Sequence, residues 1–224
     1  MNEKSLSDPQ VVASVIQGRK TLKVLGGPQN PLVLAADVAE RNQALVVSCL
    51  ETAGWAPFHY PRSTVAPREP WRAYLLSHEV CQKIAPKLSD WLPDMKPTAK
   101  LPQMMWACGA LVLVTWVPES CDEGDSDMKR EKVAARNDEH LAASAAMVQN
   151  FLLMLTAHGF GTYWSSVNLL RREVFLDHVG MPKDERLVAG VFVEYPDTTG
   201  DRRERIPGKL RDARSDQWIR EISF

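Results

Sequence analysis

The segment Ala110–Val117 constrains this chain more tightly than any other. It is a continuous apolar and β-branched run with no polar alternation, the pattern of a strand covered on both faces. Such a strand requires a layer of structure above and below it. Leu187–Tyr195 reads as a second buried strand. From Asp138 to His158, residues Leu141, Ala145, Val148, Leu152 and Leu155 keep helical spacing, and Gly159 supplies the stop. That helix is apolar around much of its circumference, which suits a central or interface helix. Strands separated by long helices predict an α+β or α/β layered fold.

The remaining pattern fills in around these elements. Ser14–Leu25 reads as a short helix running into a loop, with Gly26, Gly27 and Pro28 as a stop. A helix follows from Asn42 through Gly54, with Leu45, Val46, Cys49, Leu50 and Ala53 on one stripe. Trp55–Pro70 is a long loop, a length that is usually functional or mobile. Trp71–Leu76 is a strand and His78–Trp91 a helix, and Pro93–Pro102 connects onward. Glu119–Asp127 is an acidic, exposed loop, and helical propensity resumes near Met128. Arg171–Val179 is a short amphipathic helix and Thr198–Arg205 is turn-rich. Asp212–Phe224 forms either a helix or an extended arm. At 224 residues the chain fits one domain over 1–224, with its core at 15–211 and a tail at 212–224.

Composition excludes several function classes. The formal net charge of −1 provides no global field for nucleic acid or an anionic membrane. The longest apolar run, Gly109–Val117, is too short to span a bilayer, and no secretory signal pattern is visible. Cys49, Cys81, Cys108 and Cys121 are scattered without a Cys-x-x-Cys pair, as free thiols in a reducing compartment are. A cytoplasmic location is expected. His59, His78, His140, His158 and His178 lack metal-ligand spacing, so no metal is expected. Asp122, Glu123, Asp125 and Asp127 depart from a calcium-loop spacing. Gly159-Phe160-Gly161 follows a helix rather than a strand and lacks the third glycine of a dinucleotide fingerprint. Neither a Walker A loop nor a Gly-x-Ser-x-Gly elbow occurs.

Two stretches do carry chemistry. Gly18-Arg19-Lys20-Thr21-Leu22-Lys23 clusters three cations and a hydroxyl, the donors a phosphate ester needs, although a solvated helix face would read the same way. Gly159-Phe160-Gly161-Thr162-Tyr163-Trp164-Ser165-Ser166 is a small-residue turn whose backbone N–H groups can approach a flat polar ring. Its plainer reading is a helix cap followed by a strand start, with Trp164 in the core. Between them lie Ala56-Pro57-Phe58-His59 and Arg68-Glu69-Pro70-Trp71. In this order, from about Val15 to Arg211, the chain resembles the FMN-binding framework of the nitroreductase family.

The resemblance implies an α+β layered fold, with a central mixed or antiparallel sheet flanked by helices. By it, Arg19, Lys20, Thr21 and Lys23 render the family's Arg-Arg-Ser-x-Arg pattern at the FMN phosphate. Lys209 and Arg211 are the implied C-terminal partners, with Arg202, Arg203, Arg205 and Arg214 as competitors. Trp164, Ser165 and Ser166 match the Gly-x-Gly-x-x-Trp turn along the flavin ring, and His59 and Glu69 fall in the segment matching Ala-Pro-Ser … Gln-Pro-Trp. Two departures stand out: extra residues at Tyr60–Pro67, and Glu69 in place of the usual amide. A carboxylate there accepts from the flavin N3–H but disfavours the anionic reduced ring, so Glu69 either lowers the potential or points elsewhere.

The resemblance implies an FMN-dependent NAD(P)H oxidoreductase passing hydride through flavin N5 to nitroaromatics, quinones or similar acceptors, with no side-chain acid required. It further implies a homodimer with flavin at the subunit interface. The alternative is an FMN-binding redox sensor or flavin carrier without turnover, motivated by Glu69 and the enlarged loop. Specialised chemistry on the same scaffold and a domain that has lost the cofactor complete the range.

Overall fold

The computed structural model describes residues 8–165, 168–198, 201–215 and 217–222, without the side chains of Arg211 and Asp212. Helix α1 (Pro9–Gly18) opens on Pro9, with the Asp8 carboxylate accepting from the Gln10 amide at 2.9 Å. There follow β1 (Leu22–Leu25), α2 (Ala36–Ala53), β2 (Trp71–Ser77), α3 (His78–Ile84), α4 (Leu88–Trp91) and α5 (Leu101–Ala107). Strand β3 (Ala110–Trp116), α6 (Asp127–Ala157), β4 (Gly161–Ser165), α7 (Glu173–His178), β5 (Arg186–Glu194) and β6 (Glu204–Pro207) complete the order. Single 3₁₀ turns lie at Ala85–Lys87, Asn168–Arg171, Pro196–Thr198 and Leu210–Ala213.

Four strands form an antiparallel sheet in the order β2-β3-β5-β4. Strands β1 and β6 form a separate antiparallel ribbon, joined to β4 by one parallel bridge between Thr21 and Thr162. The pattern of Ala110–Val117 is explained by what covers it. Val112 and Val114 of β3, with Val191 and Val193 of β5, pack among α2 and α6 residues such as Val46, Phe151 and Leu152. Leu111, Leu113 and Phe192 face the opposite layer, among Met104, Met105, Leu88 and Phe175. Both faces are therefore dry, and alternation would expose nothing to water.

Several boundaries differ from the sequence reading. Helix α1 begins earlier and stops at Gly18, and Leu22–Leu25 is a strand where a helix running into a loop is expected. Four residues alone carry too little periodicity to identify a strand, and only β6 makes this one. Helix α2 starts six residues before Asn42. The expected His78–Trp91 helix is interrupted by the 3₁₀ turn containing Pro86, which has no N–H to donate to the Gln82 carbonyl one turn back. Leu101–Ala107 is a helix where only a connection is expected.

Helix α6 runs 31 residues, beginning at the Ser126 cap well ahead of Asp138. By length and composition it could cross a membrane, which the longest contiguous apolar run, Gly109–Val117, did not reveal. Here Met147, Val148, Phe151, Leu152 and Leu155 bury its inner face on the sheet. It ends before Gly159, whose φ of +79° carries the chain back toward β4.

Candidate functional site

The chain leaves α1 at Arg19, whose amide still bonds the Val15 carbonyl at 3.0 Å. Its backbone is already extended, so Lys20 and Thr21 enter the β1–β6 ribbon. Leu22 pairs with Pro207 and Lys23 with Ile206, and the Gly208 amide donates to the Thr21 carbonyl at 2.8 Å. This pairing brings together chain segments nearly two hundred residues apart. Arg19, Lys20 and Thr21 on one wall face Pro207, Gly208, Lys209, Leu210 and Arg214 on the other, around a groove of about 680 Å³. That volume falls within the range of ligand clefts, roughly 300–1,000 Å³. A Cβ on Gly208 would lie 2.8 Å from the Thr21 Cβ, so the close approach of the two walls requires glycine there. Four cations and a hydroxyl line this groove, a donor set chemically able to neutralise and hydrogen-bond an anion with several oxygens.

The groove adjoins β4. Thr21 bridges Thr162, and the next strand residue, Tyr163, carries the Lys23 ammonium 4.5 Å above its ring. Trp164 is half-buried against the α2–α6 core and pairs with Val191. Ser165 is fully buried opposite Gly190. Ser166 lies outside the described residues, as does the Arg211 side chain.

Arg19, Lys20, Thr21 and Lys209 thus meet in one groove, with Lys23 directed onto the neighbouring strand. His59 and Glu69 do not line it. His59 is exposed in the loop after α2, its Nδ1 3.6 Å from Glu139 Oε2. With Pro57, Phe58, Glu139, Ala142, Ala143 and Ala146 it lines a second, largely apolar cleft of about 420 Å³ beside α6. Glu69 is half-buried, and its backbone carbonyl accepts from Arg72 Nη1 at 2.8 Å.

The extra loop is tied down by a polar cluster that sequence reading leaves unassigned. Arg62 donates to the Val117 carbonyl and, at 2.7 Å, to the Pro118 carbonyl, and lies 4.0 Å from Glu119. The same carboxylate meets Arg136 at 3.4 Å and the buried His140 Nε2 at 3.2 Å. Asn137 holds the Glu119 backbone through both its amide and its carbonyl, and Arg136 also covers the Tyr60 ring. Burial raises the Glu119 pKa, but the His140 and Arg136 hydrogen bonds and the Arg136 and Arg62 charges outweigh it and hold it below the usual carboxylate range.

Among the competing C-terminal cations, Arg214 reaches the groove, whereas Arg203 and Arg205 are engaged elsewhere. Arg205 Nε donates to the buried Glu194 at 2.8 Å, and Arg203 Nε to Asp201 at 2.6 Å. Arg203 just precedes β6 and Arg205 lies within it; their spacing of two residues is consistent with one common side, and it names no partner. Nothing in the sequence marks Gly208 or Tyr163 as neighbours of Arg19.

The folded chain resembles solved structures over nearly its full length. A nitroreductase-like family protein from Bacillus cereus superposes with a TM-score of 0.60 at 20% identity, covering 91% of this chain and 94% of that one. A nitroreductase with bound FMN from Desulfitobacterium hafniense DCB-2 gives 0.55 at 13% identity, covering 94% and 97%. In sequence, the Bacillus subtilis (strain 168) protein YfhC, provisionally named an NAD(P)H nitroreductase, is 29% identical over 174 residues, 75% of this chain and 80% of its own. The sequence model of the nitroreductase family matches residues 42–193, more than half of the chain, and with the antiparallel α+β fold this establishes that the chain belongs to the nitroreductase family.

Proposed function

We propose that the chain is an FMN-dependent NAD(P)H oxidoreductase of the nitroreductase type. The observation that carries this reading is the groove uniting Arg19, Lys20 and Thr21 with Gly208, Lys209 and Arg214 beside β4. Its donor set fits a phosphate monoester, because guanidinium and ammonium groups neutralise the charge while Thr21 and the backbone at Gly208 limit its position. Arg19, Lys20, Thr21, Lys209, Arg211 and Arg214 would hold the phosphate end. Lys23, Trp164, Ser165 and Ser166 would lie toward the ring, where Lys23 stabilises negative charge. His59 lines the second cleft and Glu69 lies further along the same loop, so both would serve the ring only through a partner subunit or a movement of that loop.

The chemistry FMN supplies when bound is hydride transfer through N5, from NAD(P)H to nitroaromatic, quinone or similar acceptors. The protein's share is binding, orientation and exclusion of water, and no side-chain acid is assigned. A homodimer with flavin at its interface belongs to the same proposal. It is supported by the exposed Val11, Val12 and Ile16 of α1 and by Trp218, Ile219 and Ile222 near the C-terminal end. Four unpaired cysteines suit a reducing, cytoplasmic setting.

The test is the visible spectrum of the purified protein, recorded anaerobically before and after NADPH and then NADH. Flavin bands that bleach are expected. Bands that persist with both donors would favour a redox sensor or carrier, and absence of flavin after incubation with FMN would overturn the reading. Arg19→Ala is expected to lose most of the retained flavin while its thermal unfolding stays within about 0.5 kcal/mol of wild type, as for a surface change. Unchanged flavin content in that variant would refute the phosphate assignment.

A further inference from the structure

One carboxylate in this molecule is buried at the junction of the two sheets, and nothing in the proposed chemistry uses it. Glu194 ends β5 and is 2% exposed. Its Oε1 receives Arg205 Nε at 2.8 Å and Nη2 at 2.6 Å, with Arg203 Nη2 at 3.9 Å. Oε2 is buried without a hydrogen-bond partner and lies over Gly161, where an added Cβ would come within 2.9 Å of it. Gly161 is also the register partner of Glu194 across the β4–β5 ladder. The glycine that opens β4 thus makes room for this carboxylate.

The arginines carry the consequence to the groove. Both lie on the segment whose continuation, Pro207-Gly208-Lys209, forms one wall of the anion groove. Strand β4 is fixed to the main sheet by its own ladder with β5. Strand β6 has no such ladder; its strand partner is β1. Beyond the packing of Ile206 and the Thr21–Thr162 bridge of its partner strand, its polar anchors to the main body are Arg203, which lies 3.9 Å from Glu194 and bonds the Ala107 and Thr198 carbonyls, and Arg205, which bonds Glu194, Asp201 and the Thr198 carbonyl. Asp201 and Thr198 belong to the connection leading into β6, so Glu194 is the carboxylate in this cluster that stands on the main sheet. Without it the buried Arg203 and the partly buried Arg205 would share Asp201, which is 39% exposed and moves with their own segment, as their counter-charge.

We infer that Glu194 is a positioning residue for the phosphate arm: through Arg203 and Arg205 it sets where Gly208, Lys209 and Arg214 stand opposite Arg19, and thereby governs how tightly a flavin phosphate is held. This rests on the proposed FMN reading and adds a residue that contacts no flavin atom. Because β4 is held independently by β5, the effect is confined to the phosphate end.

The discriminating experiment compares two probes that differ only in the phosphate, FMN and riboflavin, by fluorescence titration of the flavin-free protein. Glu194→Gln keeps the volume and removes the charge. It is expected to weaken FMN at least about tenfold, the scale of supporting residues behind a bound group, and to leave riboflavin affinity unchanged. Equal FMN affinity in wild type and variant overturns the inference, as does an equal loss for both flavins, the mark of a merely structural role. Should Glu194→Gln not fold, Arg205→Lys retains the charge, loses the forked contacts and is held to the same selective loss. A wild-type protein that binds neither flavin refutes the FMN reading itself and this inference with it. Wild-type binding with an unselective variant refutes the inference alone.

Discussion

At the scale of single residues, Glu119 shows how one side chain fixes a loop that sequence pattern leaves open. Its carboxylate gathers Arg62 from the loop and Arg136 and His140 from α6, and its side chain retains 17% exposure. Glu119→Gln removes the charge these groups share. The expected cost is about 1–2 kcal/mol, the lower part of the hydrogen-bonded charge range because solvent still reaches the group. Its folded pKa lies below the ordinary value, so the stabilisation is present above the unfolded Glu pKa, about 4.3. It is lost as pH falls through the folded value. Thermal unfolding of wild type and variant between pH 7 and pH 3 checks this: the two curves should differ at neutral pH and converge in acid. A gap that widens on acidification would contradict the assignment. The basic residues of the first motif were legible in sequence because their types and spacing are chemical. Of their partners, Lys209 was named by the family resemblance and Arg214 stood among several competing cations; Gly208, and the placing of Arg214 rather than Arg203 or Arg205 at the groove, follow only from the β1–β6 pairing.

At the scale of elements, the buried strands were legible in the chain. Apolar runs at β3 and β5 report burial on two faces, and the helical spacing within α6 reports its packed face. Short elements were not. Strands β1 and β6 have four residues each, too few for periodicity to separate them from loop, and they exist through their mutual pairing. Helix α6 contributes a run of buried residues to one core layer, and Phe151 in its C-terminal part is fully buried there. Phe151→Ala should destabilise the fold by about 3–5 kcal/mol, the transfer loss plus the cavity, read from the midpoint of urea unfolding at unchanged slope. A shift below 1 kcal/mol would mean that α6 does not carry that layer.

At the scale of the whole molecule, the proposed homodimer makes its own prediction. The apolar residues of α1, Val12 and Ile16, are about half exposed on a helix with no buried residue. In light scattering after size exclusion, the wild-type chain should show twice its own mass. The double substitution Val12→Asp and Ile16→Asp should shift it toward the monomer and lower flavin retention. A monomeric wild type that retains flavin would end the dimer proposal and leave the groove intact. What the sequence determined by itself was the layered α+β class, the two dry strands, the position of the Gly159 stop and the basic and small-residue motifs, because periodicity, burial and charge are local properties of the chain. What only the tertiary structure decided was which motifs meet. Arg19 faces Lys209 and Arg214 because β1 pairs with β6, Arg203 and Arg205 turn inward because Glu194 is buried beside Gly161, and His59 stands apart in a cleft beside α6. Contacts between segments far apart in the chain leave no periodic trace in it; packing alone brings them into register.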